Sequence, residues 1–274
     1  MTLEAAEAPM SGNGDARPVN VLCMKWGEAF GPEWVNRLHA GVARHLAIPH
    51  RFVCFTDDPT GLHPEVEHFP LIEVEVPSGE LDLRWRKLAV FRRELYDLEG
   101  TALFLDLDLV IVGSLDPFFA EPGEFLIIRD DDLMPAKPLR WIHPARARRM
   151  SRVGNSSVFR FEVGAHADIL ETFVRDPAAA IADQPNRREQ EYLTEELWRQ
   201  GLLRYWPKEW CVSFKKHCIP LLFASYLRDP APPVGARIIV FAGSLKIPDA
   251  IAGRGEKWYR RIGRSEWLAE AWSE

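Results

Sequence analysis

With 274 residues, 47% apolar and 27% charged, the chain is long enough for one large α/β domain and has an ordinary globular composition. A net charge of -6 gives no general case for nucleic acid as a partner. No apolar run reaches 18 residues, so no membrane-spanning helix is expected.

Residues 1–17 carry Glu, Gly, Asn and Asp without an apolar stretch, which predicts a disordered tail and no signal peptide. Residues 18–24 are apolar enough for a first strand. Gly31-Pro32-Glu33 then opens a helix to about Leu46, with Pro near its start. Residues 52–56 read as a second strand, closed by the turn Asp57-Asp58-Pro59-Thr60-Gly61, and residues 66–70 as a short third. Residues 85–96 predict a helix, because Leu88, Phe91, Leu95 and Tyr96 recur near a 3.6 period. Strands are expected at 103–112 and 125–129. The stretch 130–152, acidic, then Pro-bearing, then Arg-rich, has no clear period and predicts a lid or acceptor loop. A strand at 157–161 and helices at 165–174 and 188–200 follow, then short apolar pieces at 203–206, 219–223 and 237–241. Residues 257–274 mix Trp, Leu and Arg and predict a capping or surface helix able to touch a membrane surface.

Strands alternating with helices predict an α/β fold with a mostly parallel sheet. Its ligands would sit beyond the carboxyl ends of the strands. No G-x-G-x-x-G follows the first strand and no G-x-x-x-x-G-K-[ST] occurs, which disfavours a dinucleotide fold and a P-loop. Cys23, Cys54, Cys211 and Cys218 form no C-x-x-C pair, so neither a structural zinc site nor a thioredoxin-like centre is supported; Cys23 and Cys54 read as small core residues. A reduced, cytoplasmic protein is expected, at the inner face of the membrane if the tail touches lipid. Ten Trp hint at a sugar-binding or partner surface.

The most informative segment is Thr101–Val112, where Asp106 and Asp108 interrupt an apolar run. On a strand, residues i and i+2 share a face, so the two carboxylates would point together. Like charges in a half-buried place need a cation, a proton or solvent to compensate them. A divalent metal carrying a diphosphate is the sharp reading, and a solvated strand end is the bland one.

At this point the chain resembles GT-A glycosyltransferases, near the family-8-like nucleotide-sugar transferases and related bacterial proteins. Phe104-Leu-Asp-Leu-Asp-Leu-Val-Ile-Val-Gly-Ser-Leu115 is similar to the family's D-x-D strand, which implies that Asp106 and Asp108 bind Mn2+ or Mg2+ and the donor diphosphate. The helix bearing Arg84-Trp-Arg-Lys87 resembles one that offers a basic residue to the donor. That role falls on Lys87, with Arg84 or Arg86 as substitutes. Asn155-Ser156-Ser-Val-Phe159 resembles N-[ST]-[GS]-V, which lines the donor sugar. Glu189-Gln190-Glu191-Tyr192-Leu193 resembles D-Q-[DE]-[YFW]-[LI], which implies sugar contacts near the reacting centre. Phe241-Ala-Gly243-Ser-Leu-Lys246 resembles F-x-G-x-x-K, whose Gly and Lys hold the diphosphate. Asp130, after a strand end, is a candidate for the acceptor or the metal, and Lys25, after the first strand, for the nucleotide.

Two departures stand out. The family's metal-ligating His precedes its Gly by three positions, where this chain has Val240; in related bacterial sequences a His immediately precedes the Gly, where this chain has Ala242. Ile247 replaces the usual Pro after the Lys. A two-Asp site can still hold a metal when phosphates and waters fill the shell, and His217 in the basic loop Lys215-Lys216-His217 is a substitute ligand to consider.

The resemblance thus implies one GT-A domain over 18–256. It would transfer a sugar from a nucleoside-diphosphate donor, UDP-linked, to a hydroxyl acceptor with retention. Three rivals stay open: a nucleotide-sugar-binding homologue with weak or no transfer, a metal-dependent phosphohydrolase, and an interaction protein using its Trp-rich tail.

Overall fold

The computed structural model describes residues 19–76, 83–130, 142–241, 243–255 and 261–274. Among these, the first strand, β1 (Val19–Lys25), lies inside a seven-stranded sheet. It pairs in parallel with β2 (His50–Thr56) on one side and with β4 (Thr101–Leu105) on the other. β2 pairs in parallel with β3 (Glu67–Pro70) at the edge. Beyond β4 the pairing turns antiparallel, through β7 (Gly154–Glu162) to β6 (Phe125–Arg129). A last parallel pairing to β8 (Leu203–Tyr205) closes the order β3-β2-β1-β4-β7-β6-β8. The sheet is therefore mostly parallel, as expected.

Both faces of this sheet are buried, so its central strands are apolar throughout instead of alternating. On β1, Val21 and Cys23 face one apolar cluster while Leu22 and Met24 face the other. On β4, Leu103 and Leu105 are divided from Ala102 and Phe104 in the same way. The first layer includes α1 (Pro32–His45), which starts with Pro at its first position and turns Trp34, Val35, Leu38 and Val42 inward. The opposite layer includes α4 (Ala167–Arg175) and α6 (Glu189–Arg199).

Two elements differ from the sequence reading. Residues 85–96 were expected to be an α-helix, but the segment is a 3₁₀ helix over Leu83–Phe91. Its buried Trp85, Leu88 and Phe91 recur every three residues, the spacing that eclipses side chains on a three-residue turn. The long strand expected at 103–112 is two strands. β4 ends at Leu105, and β5 (Leu109–Ile111) belongs to a second, three-stranded sheet with β10 (Ile238–Val240) and β9 (Cys211–Ser213). The short apolar piece at 219–223 runs into a 3₁₀ helix over Leu222–Tyr226.

The expected disordered tail at 1–17 lies outside the described residues, as do 256–260. The rest of the C-terminal segment closes the first layer. Helix α8 (Glu266–Ala271) buries Leu268, and Trp272 packs edge-on against Trp34 of α1, ring centroids 5.0 Å apart. Arg44 donates hydrogen bonds to the carbonyls of Ala271 and Ser273 at 2.9 and 3.0 Å, satisfying the end of that helix. In the loop expected at 130–152, a short helix, α3 (Pro144–Met150), forms; residues 131–141 lie outside the described residues.

Candidate active site

Asp106 and Asp108 sit in the bend where the chain leaves the large sheet for the small one. The backbone holds the bend from both sides: the Asp106 N–H donates to the Ser157 carbonyl, and the Asp108 carbonyl accepts from the Phe241 N–H, each at 2.9 Å. The pair was expected on one face of a continuous strand. Instead it lies beyond the carboxyl end of β4, with the buried Leu107 between the two acids anchoring the bend in the core. Both acids line a cleft of about 490 Å³.

The electrostatics of the bend are unbalanced. Burial and the neighbouring Asp106 charge push the Asp108 carboxyl up to about 7, and Lys246 and Lys87 only partly oppose them. Asp106 is better compensated: Lys87 Nζ lies 2.7 Å from its Oδ1. Lys87 is itself buried and also donates to the Ser156 carbonyl at 3.1 Å and the Ser156 Oγ at 3.3 Å. Burial works against its charge, but Asp106, Glu189 and Asp108 together outweigh burial and raise its pKa. The sequence reading placed Lys87 on the donor; here its amine is held by Asp106 and Ser156. Arg84 lines the cleft, while Arg86 does not.

The network continues into α6. Ser156 Oγ donates to Glu189 Oε1 at 2.6 Å, and Gln190 Nε2 donates to Asp130 Oδ2 at 2.9 Å. Glu189 and Gln190 form the first turn of the helix, and Glu189 and Asp130 are buried. Glu191 fixes that turn by accepting hydrogen bonds from the Asn186 and Arg188 N–H groups at 2.8 and 3.4 Å. Just before it, Arg187 adopts φ 54, an uncommon conformation for a residue with a Cβ. Asn155 lines the cleft, and its Oδ1 accepts from the Ser157 N–H at 2.8 Å, which fixes the turn into β7.

The remaining wall comes from far along the chain. After β10, Phe241, Gly243 and Lys246 line the cleft, with Ala242 outside the described residues. Gly243 has φ +84, where a side chain would strain the backbone. Lys246 Nζ lies 4.8 Å from the centroid of the Phe30 ring. Val240 packs in the small sheet and borders a cavity beside the cleft, so the position of the family's usual third ligand is apolar.

Nearly all the predicted residues thus meet in one cleft: Lys87, Asp106, Asp108, Asp130, Asn155, Ser156, Glu189, Gln190, Gly243 and Lys246. Lys25 does not. It is buried, and its Nζ donates to the Asp58 carbonyl at 3.1 Å, tying β1 to the turn after β2. His217 does not either; its Nδ1 accepts from the Ser213 N–H at 3.0 Å, and it lines a neighbouring cavity of about 370 Å³ that shares Asp130 and Asn155 with the cleft. Trp26, Phe30 and Arg188 line the cleft without having been predicted. The signal for Trp26 was available, since it directly follows the carboxyl end of β1.

The donor set fits a hard divalent cation. Carboxylate oxygens suit Mn2+ or Mg2+, and the half-buried, only partly compensated Asp108 is the kind of group such an ion neutralises. Among the described residues, His39, His63 and Glu65 are also close enough to share an ion. None of the three lines the cleft, so they offer no third ligand to Asp106 and Asp108.

The doubly covered, mostly parallel sheet, with an acidic bend at the carboxyl end of a central strand, is an α/β fold of the GT-A-like, Rossmann type. No family model matches the chain, and no curated protein sequence does. Solved structures match by shape. The bifunctional glycosyltransferase WbbM, in its apo form, superposes with a TM-score of 0.58 at 14% identity, covering 88% of this chain. This chain spans about half of that structure, 48%. The galactosyltransferase LgtC, in complex with donor and acceptor sugar analogues, gives a TM-score of 0.56 at 10% identity, covering 83% of this chain and 88% of LgtC.

Proposed function

We propose that the chain is a glycosyltransferase that takes a nucleoside-diphosphate sugar, UDP-linked, and transfers the sugar to a hydroxyl acceptor with retention. The observation that carries this reading is the meeting of Asp106, Asp108, Lys87 and Lys246 in one cleft at the carboxyl end of a GT-A-like sheet. A nucleoside diphosphate leaves readily only when its growing charge is neutralised. Asp106 and Asp108 would hold Mn2+ or Mg2+, which supplies that neutralisation when bound. Lys246 adds a second positive charge from the opposite wall, and the left-handed Gly243 lets backbone amides approach the phosphates. Glu189, fixed through Ser156, offers a carboxylate to the sugar hydroxyls. Gln190 is held by its amide nitrogen on Asp130, which leaves its Oε1 to face positive charge developing at the anomeric carbon. The acceptor is a saccharide, lipid-linked sugar, protein or small metabolite bearing the attacking hydroxyl.

Calorimetric titration of UDP with and without Mn2+ tests this, on the wild type and Asp106→Asn/Asp108→Asn. Metal-dependent binding that disappears in the double variant is the expected result. No UDP binding in either condition would remove the UDP assignment. The apolar Val240 favours a second reading, donor binding without efficient transfer. Sugar release from a bound donor, measured over a panel of acceptors at saturating Mn2+, separates the two.

A further inference from the structure

The C-terminal segment, expected to be a capping helix or a membrane-surface patch, spends its apolar residues on the core: Ile262, Leu268 and Trp272 are all buried. Exposed apolar surface lies elsewhere. Leu221 is 71% exposed, Phe223 64% and Leu227 87%, and all three fall on or beside the 3₁₀ turn Leu222–Tyr226. Tyr226 in the same turn is half exposed. Scattered single apolar residues on a surface are ordinary, but so many in one short segment are not.

The surroundings of this turn are basic. Arg228 follows it directly and is exposed. The chain at 261–267 is fastened to the turn: the Arg261 N–H donates to Ser225 Oγ at 2.8 Å, the Arg264 N–H to Asp229 Oδ1 at 3.1 Å, and Trp267 Nε1 to the Pro230 carbonyl at 2.8 Å. These bonds bring the exposed Arg261 and Arg264 to the border of the apolar turn. Two acids lie in the same region: Asp229, which is turned onto the backbone of 263–264 and fills the space where Gly263 lacks a side chain, and the exposed Glu266 at the start of α8, against the three arginines Arg228, Arg261 and Arg264. Arg254 is matched by Asp249 at 3.0 Å and adds no free charge.

We propose that the turn at 221–227, with Arg228, Arg261 and Arg264, is a peripheral docking site for a membrane surface bearing anionic phospholipid. Leu221, Phe223 and Leu227 would enter the headgroup region, and the three arginines would sit at phosphate level. An apolar tip with a basic collar matches the two layers of such a surface, greasy below and negative above. Among the described residues no helix is long and apolar enough to cross a membrane. The site begins just after the Phe214–Cys218 turn, whose Lys216 and His217 line the cavity beside the cleft. Docking would therefore hold that cavity near the membrane.

Vesicle co-sedimentation of the full chain tests the site without reference to sugar transfer. The probes are phosphatidylcholine–phosphatidylglycerol vesicles and pure phosphatidylcholine vesicles, at low and high salt. Wild type should bind the anionic vesicles and release them at high salt, as the Debye length shrinks. Leu221→Ser/Phe223→Ser/Leu227→Ser should lose about tenfold in partitioning for each apolar side chain removed. Arg228→Gln/Arg261→Gln/Arg264→Gln should lose roughly fivefold per charge. Both variants should keep the wild-type melting temperature, because the changed side chains lie on the surface. Equal binding to the two vesicle types, or unchanged binding by either variant, would overturn the proposal. So would concentration-dependent self-association that the serine variant abolishes, since the turn would then serve a second copy of the chain.

Discussion

Replacing Lys87 by Met keeps the length of a buried side chain and deletes its charge. Lys87 is 5% exposed, and its Nζ touches Asp106 at 2.7 Å and Ser156 at 3.1 and 3.3 Å. At that ion-pair distance the gross attraction is about 6 kcal/mol for an effective dielectric constant near 20. Most of it is offset by the cost of burying the ammonium, so the gross figure is not what would be measured. Removing one partner of a buried pair typically costs about 3–5 kcal/mol. The Asp106 side chain is 27% exposed and regains some water, which places the expected loss near the lower end, about 3 kcal/mol. Urea unfolding of wild type, Lys87→Met, Asp106→Asn and the double variant forms a cycle. The double variant should be less damaged than the sum of the singles by about 2 kcal/mol, since neither variant residue leaves an orphan charge. Because Lys87→Met leaves Asp106, Asp108 and Glu189 short of a cation, Mn2+ should also raise the urea midpoint more in this variant than in wild type. A loss under about 1 kcal/mol, or additivity within about 0.5 kcal/mol, would refute the idea that Lys87 is held by its charge.

Gly243→Ala should cost about 1 kcal/mol through its positive φ, and weaken UDP binding more than it lowers the urea midpoint, as calorimetry beside unfolding would show. Arg160, buried in β7, donates to the carbonyls of Phe118 and Glu121 at 2.8 and 2.7 Å and to that of Gly123; Arg160→Leu strands all three and should lose about 3 kcal/mol in urea unfolding. Burial lowers the pKa of His166, whose Nε2 is enclosed without a hydrogen-bond partner. The folded state therefore binds fewer protons there than the unfolded state, and stability falls as the pH drops below about 6.5. His166→Gln should flatten that acid limb, seen as a smaller change in urea midpoint between neutral pH and about pH 5.

Much of this fold could be read from residue patterns because the patterns had local causes. The β1–α1–β2 unit announced itself through an apolar run, a Pro at a helix start and an Asp/Pro/Gly turn. The break at Asp106–Asp108 did not, because both β4 and β5 are buried and the apolar run continues across two sheets without a Gly or Pro to mark the change. The two acids themselves were the mark, and they were read as chemistry alone. Convergence of Gly243 and Lys246 on the acid pair was legible only through the resemblance, since no local pattern encodes the pairing of β10 with β5. The displacement of Lys25 from the cleft was equally hidden: its partner is a backbone carbonyl in the next turn, which carries no residue-specific signal. Lys87 was found, but its orientation depended on a three-residue turn that the apolar spacing of 85–96 had suggested was α-helical.

The bond between Phe241 N–H and the Asp108 carbonyl joins residues more than a hundred positions apart. The acid pair leaves the ribosome before Lys246 and the strand that flanks the bend, which follow more than a hundred residues later. Until β10 pairs with β5, the nascent chain has an acidic bend with no opposite wall. Loop closure of that length is slow compared with local helix formation. The cleft thus matures after the large sheet, and a chain stalled short of β10 would carry the strands of that sheet and an unfinished site.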